Sequence, residues 1–323
     1  MQWQPTATFE TLRLRAELLD SLRNFFKHKG VMEVEVPILL NAAVTDPHIE
    51  SMQVTCEFGT KGKHHCYLNT SPEYALKRLV CAGSGPIYTV ARVFRDGEIG
   101  RKHNPEFTLL EWYRPGYSYR DLMLEVADLM NNLFVVPEIK SITYQKLFEQ
   151  VLGFDPLEVS LEKLCQIVNE NLETNFAIDD VDTGLELLMS HLVEPKLEEL
   201  LGDVPIFVYD FPPGQAALAN LAHNDQAQLI AQRFELYYRG YELANGYDEL
   251  RDAAEQRHRF TSDRQQRVAQ NLPAHEIDEN FLAAIEHGMP PCAGVAIGVD
   301  RLVMLRALSN DISDVIAFNS ERI

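Results

Sequence analysis

Residues 93–114 read VFRDGEIGRKHNPEFTLLEWYR. Both ends of this stretch are apolar and read as strands, over 87–95 and 107–114. Between them Arg95, Arg101, Lys102 and His103 are gathered into one short loop. A period of two places Phe107, Leu109, Glu111 and Tyr113 on one face of the second strand, and Thr108, Leu110, Trp112 and Arg114 on the other. A carboxylate and a phenol among apolar neighbours is either an amphipathic strand whose Glu111 reaches solvent or the lining of a polar pocket. The basic loop is either a solvated turn or a set of forked donors suited to phosphate oxygens.

Working outward, residues 11–29 carry Leu18, Leu22, Phe25 and Phe26 on one helical face, end in Lys27-His28-Lys29 and stop at Gly30. The following VMEVEVP alternates Met32, Val34 and Val36 against Glu33 and Glu35, and its proline suits a strand end. Further strands are expected at 52–58, 65–69, 204–211 and 232–239, with a short one before the final helix. Helices are expected at 121–134, 143–152, 160–172 and 184–201, with caps at Ser160 and Thr183 and a kink at Pro195. Clustered hairpin strands interrupted by a helical block predict an α+β fold, an antiparallel sheet flanked by helices. No repeat or long linker divides the chain, so a single domain over 1–323 is expected.

The chain has 29 Lys and Arg against 48 Asp and Glu, a formal net charge of −19, which disfavours an extended nucleic-acid interface but leaves room for one small anionic ligand. Its five cysteines show neither a C-x-x-C pair nor zinc-ligand spacing, as expected of a reduced, cytoplasmic chain. No signal-peptide core and no bilayer-length apolar run is evident, so no membrane partner is expected.

Two more blocks bear chemistry. AGVAIGVDRLVMLRAL (293–308) sets Gly294 and Gly298 in a short apolar strand, with Asp300 and Arg301 opening a helix, where an arginine runs against the dipole preference. It is neither a Walker loop nor a dinucleotide fingerprint. FELYYRGYELANGYDEL (234–250) places Glu235 and Glu242 in a strand and turn, followed by Asn245, Tyr247 and Glu249. Singly these are surface carboxylates; grouped near phosphate-binding arginines they suit Mg²⁺.

Together the blocks resemble the signature of class II aminoacyl-tRNA synthetases, in the lysyl branch. GVMEVEVPIL looks like motif 1, FRDGEIGRKHNPEF like motif 2 and GVAIGVDR like motif 3; with SPEYALKRL at 71–79, the resemblance spans most of the chain. Lysyl-tRNA synthetases carry an amino-terminal OB-fold anticodon domain, whereas this chain begins almost at the motif 1 helix. The expectation is therefore a chain without that domain, for which tRNA is an unlikely acceptor. The resemblance extends to the truncated paralogues that modify translation elongation factor P, the elongation factor P (R)-β-lysine ligase family.

That resemblance implies ATP and Mg²⁺ as cofactors, elongation factor P and lysine or β-lysine as partners, and a homodimer. It implies ATP binding by Arg95, Asp96, Gly97, Arg101, His103, Asn104, Phe107, Glu242, Leu243, Gly298 and Arg301, with Arg95 and Arg301 catalytic. Phe107 would stack beneath adenine, and Glu235 and Glu242 would hold the metal. Ser71, Pro72, Glu73, Glu111, Tyr113, Asn245, Tyr247, Glu249 and Ala296 would form the amino-acid pocket. The implied chemistry is carboxylate attack on the α-phosphorus of ATP, then transfer of the aminoacyl group to a lysine ε-amine. Two positions depart from the pattern: Gly97 replaces a glutamate that meets adenine, with Glu98 following it, and Ala296 replaces the middle glycine of motif 3. A minimal lysyl-tRNA synthetase and a non-catalytic regulatory paralogue are the competing readings.

Overall fold

The computed structural model describes residues 3–58, 62–136, 138–172 and 178–323. In chain order the elements are α1 (Phe9–His28), β1 (Met32–Glu33), β2 (Leu39–Leu40), β3 (Gln53–Glu57), β4 (Lys63–Leu68), α2 (Glu73–Cys81), β5 (Ile87–Phe94), β6 (Glu106–Pro115) and α3 (Tyr119–Leu133). There follow β7 (Lys140–Thr143), α4 (Tyr144–Leu152), α5 (Leu161–Asn171), α6 (Val181–Leu188), α7 (Leu197–Leu201), β8 (Ile206–Phe211), β9 (Leu221–His223), β10 (Leu229–Tyr238) and β11 (Tyr241–Asp248). The chain closes with α8 (Ala253–Ala269), α9 (Glu279–Gly288), β12 (Cys292–Gly298) and α10 (Val299–Ala307). They form two compact units: Met1–Tyr117 with Asn132–Phe134 and Arg251–Ile323, and Ser118–Asn131 with Val135–Leu250.

In the first unit α1 starts at Thr8, whose hydroxyl accepts from the Thr11 N–H at 3.1 Å, and ends before Gly30 at φ +68°. Leu18, Leu22, Phe25 and Phe26 are all buried, as the periodicity predicts. The strand expected over VMEVEVP is shorter: β1 has two residues, pairs parallel with β5, and leaves Met32 exposed. Past Glu33 the Val34 N–H still donates to the Tyr88 carbonyl at 2.9 Å. The hairpin read from 93–114 is present, β5 and β6 pairing antiparallel from Ile87↔Tyr113 to Phe94↔Glu106. On its far side β6 pairs antiparallel with β12. β2, β4 and β3 form a separate small antiparallel sheet.

The helices α2, α8 and α9 add to the sequence reading. Only Gln256, Phe260 and Arg267 of α8 are buried, so its apolar stripe is too thin to show as periodicity.

The second unit has the order β11-β10-β8-β7, antiparallel except for β7 on β8, with β9 pairing β10. Tyr144, Leu147 and Phe148 of α4, Leu164 and Val168 of α5, and Leu185 and Leu188 of α6 bury their apolar faces in one cluster with Val208 and Phe211 of β8. Ser160 caps α5 as expected. The helix expected over 184–201 starts earlier and is broken. Asp180, not Thr183, is its cap, because the Asp180 carboxylate accepts from the Thr183 N–H at 2.8 Å and places Thr183 inside the first turn. Instead of a simple kink at Pro195, a π-helical turn at Met189–Val193 leads into a 3₁₀ turn at Glu194–Lys196. A proline has no N–H for the α ladder, and the changed winding absorbs that loss. Both units are α+β, with mostly antiparallel strands flanked by helices. Among the described residues no helix is long and apolar enough to cross a membrane.

Candidate active site

The face of β6 that alternation picks out carries a buried polar cluster. Glu111 is 2% exposed, which removes the reading in which it reaches solvent. Its carboxylate accepts from the Ser71 hydroxyl at 2.8 Å and, on the other oxygen, from the Tyr113 hydroxyl at 2.8 Å. Burial, then the neighbouring Glu73, push its pKa from 4.5 up to about 7, against the downward pull of those hydrogen bonds and of Lys77. The Ser71 hydroxyl also accepts from the Glu73 N–H at 3.1 Å, so the turn through Pro72 into α2 aims both groups at Glu111. One Glu73 oxygen is held at 2.5 Å by Lys77, a buried cation one helical turn along α2. Lys77 is absent from the sequence reading, although its i,i+4 spacing from Glu73 is a usable signal.

The β6–β12 register sets Ala296 directly opposite Glu111, with Gly294 opposite Tyr113 and Gly298 opposite Leu109. Directly opposed residues point to the same face, with Cβ atoms about 4.5–5.5 Å apart. The only methyl-bearing residue among these three β12 positions therefore lies beside the buried carboxylate.

The basic loop is tied down along its backbone, the Arg101 carbonyl accepting from the Ile312 N–H at 2.8 Å, while most of its side chains are exposed. The Phe94, Arg95 and Asp96 N–H groups donate to the carbonyls of Asn69, Pro105 and Glu50 at 2.8, 2.9 and 2.9 Å. Arg95 donates from Nε to the Thr70 carbonyl at 3.3 Å and from Nη1 to Glu98 at 3.4 Å, and its guanidinium lies 5.1 Å from the centre of the Phe107 ring. Gly97 sits at φ +77°, a conformation any side chain would strain, which gives a backbone reason for glycine where the family pattern has glutamate. Asp96, Gly97, Arg101, Lys102 and His103 are exposed. Asn104 is buried, donating to the Glu106 carbonyl at 2.7 Å and accepting from the Ser320 N–H at 3.0 Å, so one end of its amide serves the loop and the other ties the loop to the carboxyl-terminal segment.

Arg301 comes to this loop from the first turn of α10, its Nη2 lying 3.1 Å from His103 Nε2. Partial desolvation of the ring, then the Arg301 charge, lower the His103 pKa from its usual value. Gly298 is the N-cap residue of α10. Next to it, Asp300 is 2% exposed and accepts from Arg15 of α1 and from the Thr108 N–H, both at 2.6 Å. Arg15 also donates to the Thr108 hydroxyl at 2.7 Å. This clamp seats the turn that carries Arg301. Its members are 93 to 285 positions apart, so nothing local in the sequence reveals it.

In the second unit, β10 and β11 set Glu235 opposite Asn245, Tyr237 opposite Glu242 and Arg233 opposite Tyr247, with a bulge between Leu236 and Tyr237. Glu242 thus belongs to a strand, not to a turn, and the turn is confined to Arg239 and Gly240. Glu235 accepts from Arg233 on one oxygen and from the Tyr237 hydroxyl on the other. Arg233 also donates to Asn245 at 3.2 Å. Burial raises the Glu235 pKa; Arg233 draws it back, and Glu242 raises it again. A buried carboxylate beside a half-buried one, with one arginine, is a place that a further cation would stabilise, and magnesium prefers one or two carboxylates completed by phosphate oxygens and water. Among the described residues no cluster of three or more His, Cys, Asp or Glu could cage a metal. Glu242, Asn245 and Tyr247 are half-buried, whereas Leu243, skipped by the register at the bulge, is buried. Glu249, 1% exposed, lies one residue beyond β11, bridged to Ala219.

A buried, hydrogen-bonded carboxylate, a basic loop and an arginine-bearing helix start on antiparallel strands define a class, and the sequence comparison agrees. Residues 1–322 match the family described as tRNA synthetases class II (D, K and N), and the chain belongs to this family. It is also similar, nearly end to end, to proteins named elongation factor P--(R)-beta-lysine ligase. The one from Haemophilus influenzae (strain PittGG) is 46% identical over 98% of this chain and 97% of its own length. That from Sodalis glossinidius (strain morsitans) is 48% identical over 99% and 98%. That from Pseudoalteromonas translucida (strain TAC 125) is 47% identical over 99% and 98%.

Proposed function

We propose that this protein activates (R)-β-lysine, and poorly α-lysine, with ATP, and ligates it to the ε-amine of a lysine on translation elongation factor P. The observation that carries the reading is the near full-length likeness to ligases of that name. The Glu111–Ala296 pairing supplies a physical counterpart, a carboxylate for an ammonium group beside a methyl that reshapes the space around it.

The substrate carboxylate attacks the α-phosphorus of ATP and pyrophosphate leaves; the acceptor amine then attacks the adenylate carbonyl, AMP leaves and the amine loses a proton. In-line displacement of this kind needs positioning and charge compensation rather than an enzyme nucleophile. Arg95 would meet the α-phosphate; Arg101, His103 and Arg301 the remaining phosphates and the base. In this structure Arg95 rests on Phe107, and ATP binding would draw the guanidinium from the ring to phosphate, freeing a face for adenine. Glu111, with Ser71 and Tyr113 holding its two oxygens, would take an ammonium group of the amino acid. In the second unit, by family resemblance, Glu235 and Glu242 would hold Mg²⁺ and Asn245, Tyr247 and Glu249 would contact the amino acid. Bound there, magnesium would offset the phosphate charge. With a net charge of −19 an extended tRNA surface is disfavoured; the remainder of the reading is a cytoplasmic homodimer acting as one catalytic domain.

The test is mass spectrometry of elongation factor P after incubation with this protein, ATP, Mg²⁺ and either lysine isomer. A mass gain of one lysyl residue, larger with β-lysine, is expected. Charging of tRNA with elongation factor P unmodified would refute the reading.

A further inference from the structure

Arg267 of α8 is fully buried, and a charge in that position calls for a reason, since an apolar side chain of similar volume is often as stabilising. All five of its N–H donors are engaged. Nε donates to the Pro273 carbonyl at 2.7 Å, and Nη1 to the carbonyls of Asp46 and Ile49 at 2.9 and 3.3 Å. Nη2 donates to the Glu50 carboxylate at 2.5 Å and lies 3.0 Å from Nε2 of His275. Three of the five bonds converge on residues 46–50, which a further contact, Thr45 to Asp263 at 2.8 Å, also ties to α8.

That segment leads to the basic loop. The Glu50 carbonyl receives the Asp96 N–H at 2.9 Å, immediately after Arg95. A second route leaves from His275, whose ring packs edge-on against Tyr67 at 5.4 Å. Tyr67 lies in β4, three residues before Thr70, whose carbonyl holds Arg95 Nε. The backbone and the side chain of the loop's first arginine region are thus each tied back to the cluster around Arg267. We propose that Arg267 is a positioning residue for the ATP loop, fixing Glu50 and through its carbonyl the start of residues 95–104. The inference rests on the reading that this loop holds ATP.

A lysine at 267 keeps the charge but has three donors without the planar fork, so it cannot reproduce five bonds in three directions. The experiment is pyrophosphate exchange by the full-length protein, varying ATP and amino acid independently, in Arg267→Lys, Glu50→Ala and Arg95→Ala. A misplacement of about 1 Å costs up to roughly a hundredfold, so Arg267→Lys should raise the KM for ATP by about tenfold or more, with the amino-acid KM within about twofold. Glu50→Ala, which keeps the carbonyl but frees one arm of Arg267, should shift the ATP KM the same way by less. Its side chain is 36% exposed, so it decides the matter if Arg267→Lys does not fold. An unchanged ATP KM in the folded variants, or a joint rise in both KM values as expected of general loosening, would overturn the proposal. If Arg95→Ala also leaves the ATP KM unchanged, the ATP reading fails with it; if only Arg95→Ala raises it, the positioning role falls alone.

Discussion

Amino-acid binding should be pH-dependent across neutrality because of Glu111. Its carboxyl, pushed up to about 7 by burial and by Glu73, is mostly protonated in the free protein at pH 6. A cationic ligand needs the ionised form. With a pKa near 7, about a tenth of the protein carries that form at pH 6 and about nine tenths at pH 8, so the apparent Kd should improve roughly tenfold over that interval. An ordinary carboxylate would give a flat profile there, and both ammonium groups of the ligand stay protonated throughout. Calorimetric titration of β-lysine in buffers of different ionisation enthalpy would also report about half a proton released per ligand bound at pH 7. Glu73, Lys77, Ser71 and Tyr113 face the same carboxyl, so Glu111→Gln is the control: affinity falls and the pH slope disappears. A flat wild-type profile between pH 6 and 8 would refute the reasoning.

The same shift has a stability consequence of opposite sign to the usual carboxylate case. A raised pKa favours folding while the group is protonated, and that contribution, about 3 kcal/mol at most, is lost as the pH rises from 4.5 through about 7. Ligand-free Glu111→Gln should therefore unfold at higher denaturant concentration than wild type at pH 8, with the difference closing towards pH 5.

Replacing Arg95 or Arg301 with alanine should lower adenylate formation by roughly a hundredfold or more, read by pyrophosphate exchange, as for loss of a preorganised charge-stabilising donor. Arg15→Met, which leaves the buried Asp300 carboxylate without its ion pair, should cost about 3–5 kcal/mol in urea unfolding. Ala296→Gly should narrow the preference for β-lysine by raising activation of α-lysine; the effect of one methyl is about 1–3 kcal/mol, measured as a ratio of kcat/KM values for the two isomers.

What could be read in advance follows the range of the interactions involved. Strand alternation is local, so the face of Glu111 and Tyr113 was legible in β6, and the loop was legible because its cations are contiguous. Whether Glu111 met solvent was not, because that depends on Ser71, forty positions away, and on β12 closing the other side of the strand. The broken helix after Val181 looked continuous because a wider π turn followed at once by a tighter 3₁₀ turn offset one another, leaving the run of apolar residues nearly in step with an α-helix. Arg267 shows the limit most sharply. In a polar helix it reads as one more solvated cation; its five bonds go to residues 46–50, 273 and 275, and four of those partners are backbone carbonyls or a histidine nitrogen that no charge pattern reveals. Residues proposed here to meet ligand, such as Arg95 and Glu111, announce themselves through unusual chemistry in a short stretch. Residues that hold those in place are ordinary in sequence, and only the fold brings their partners to them.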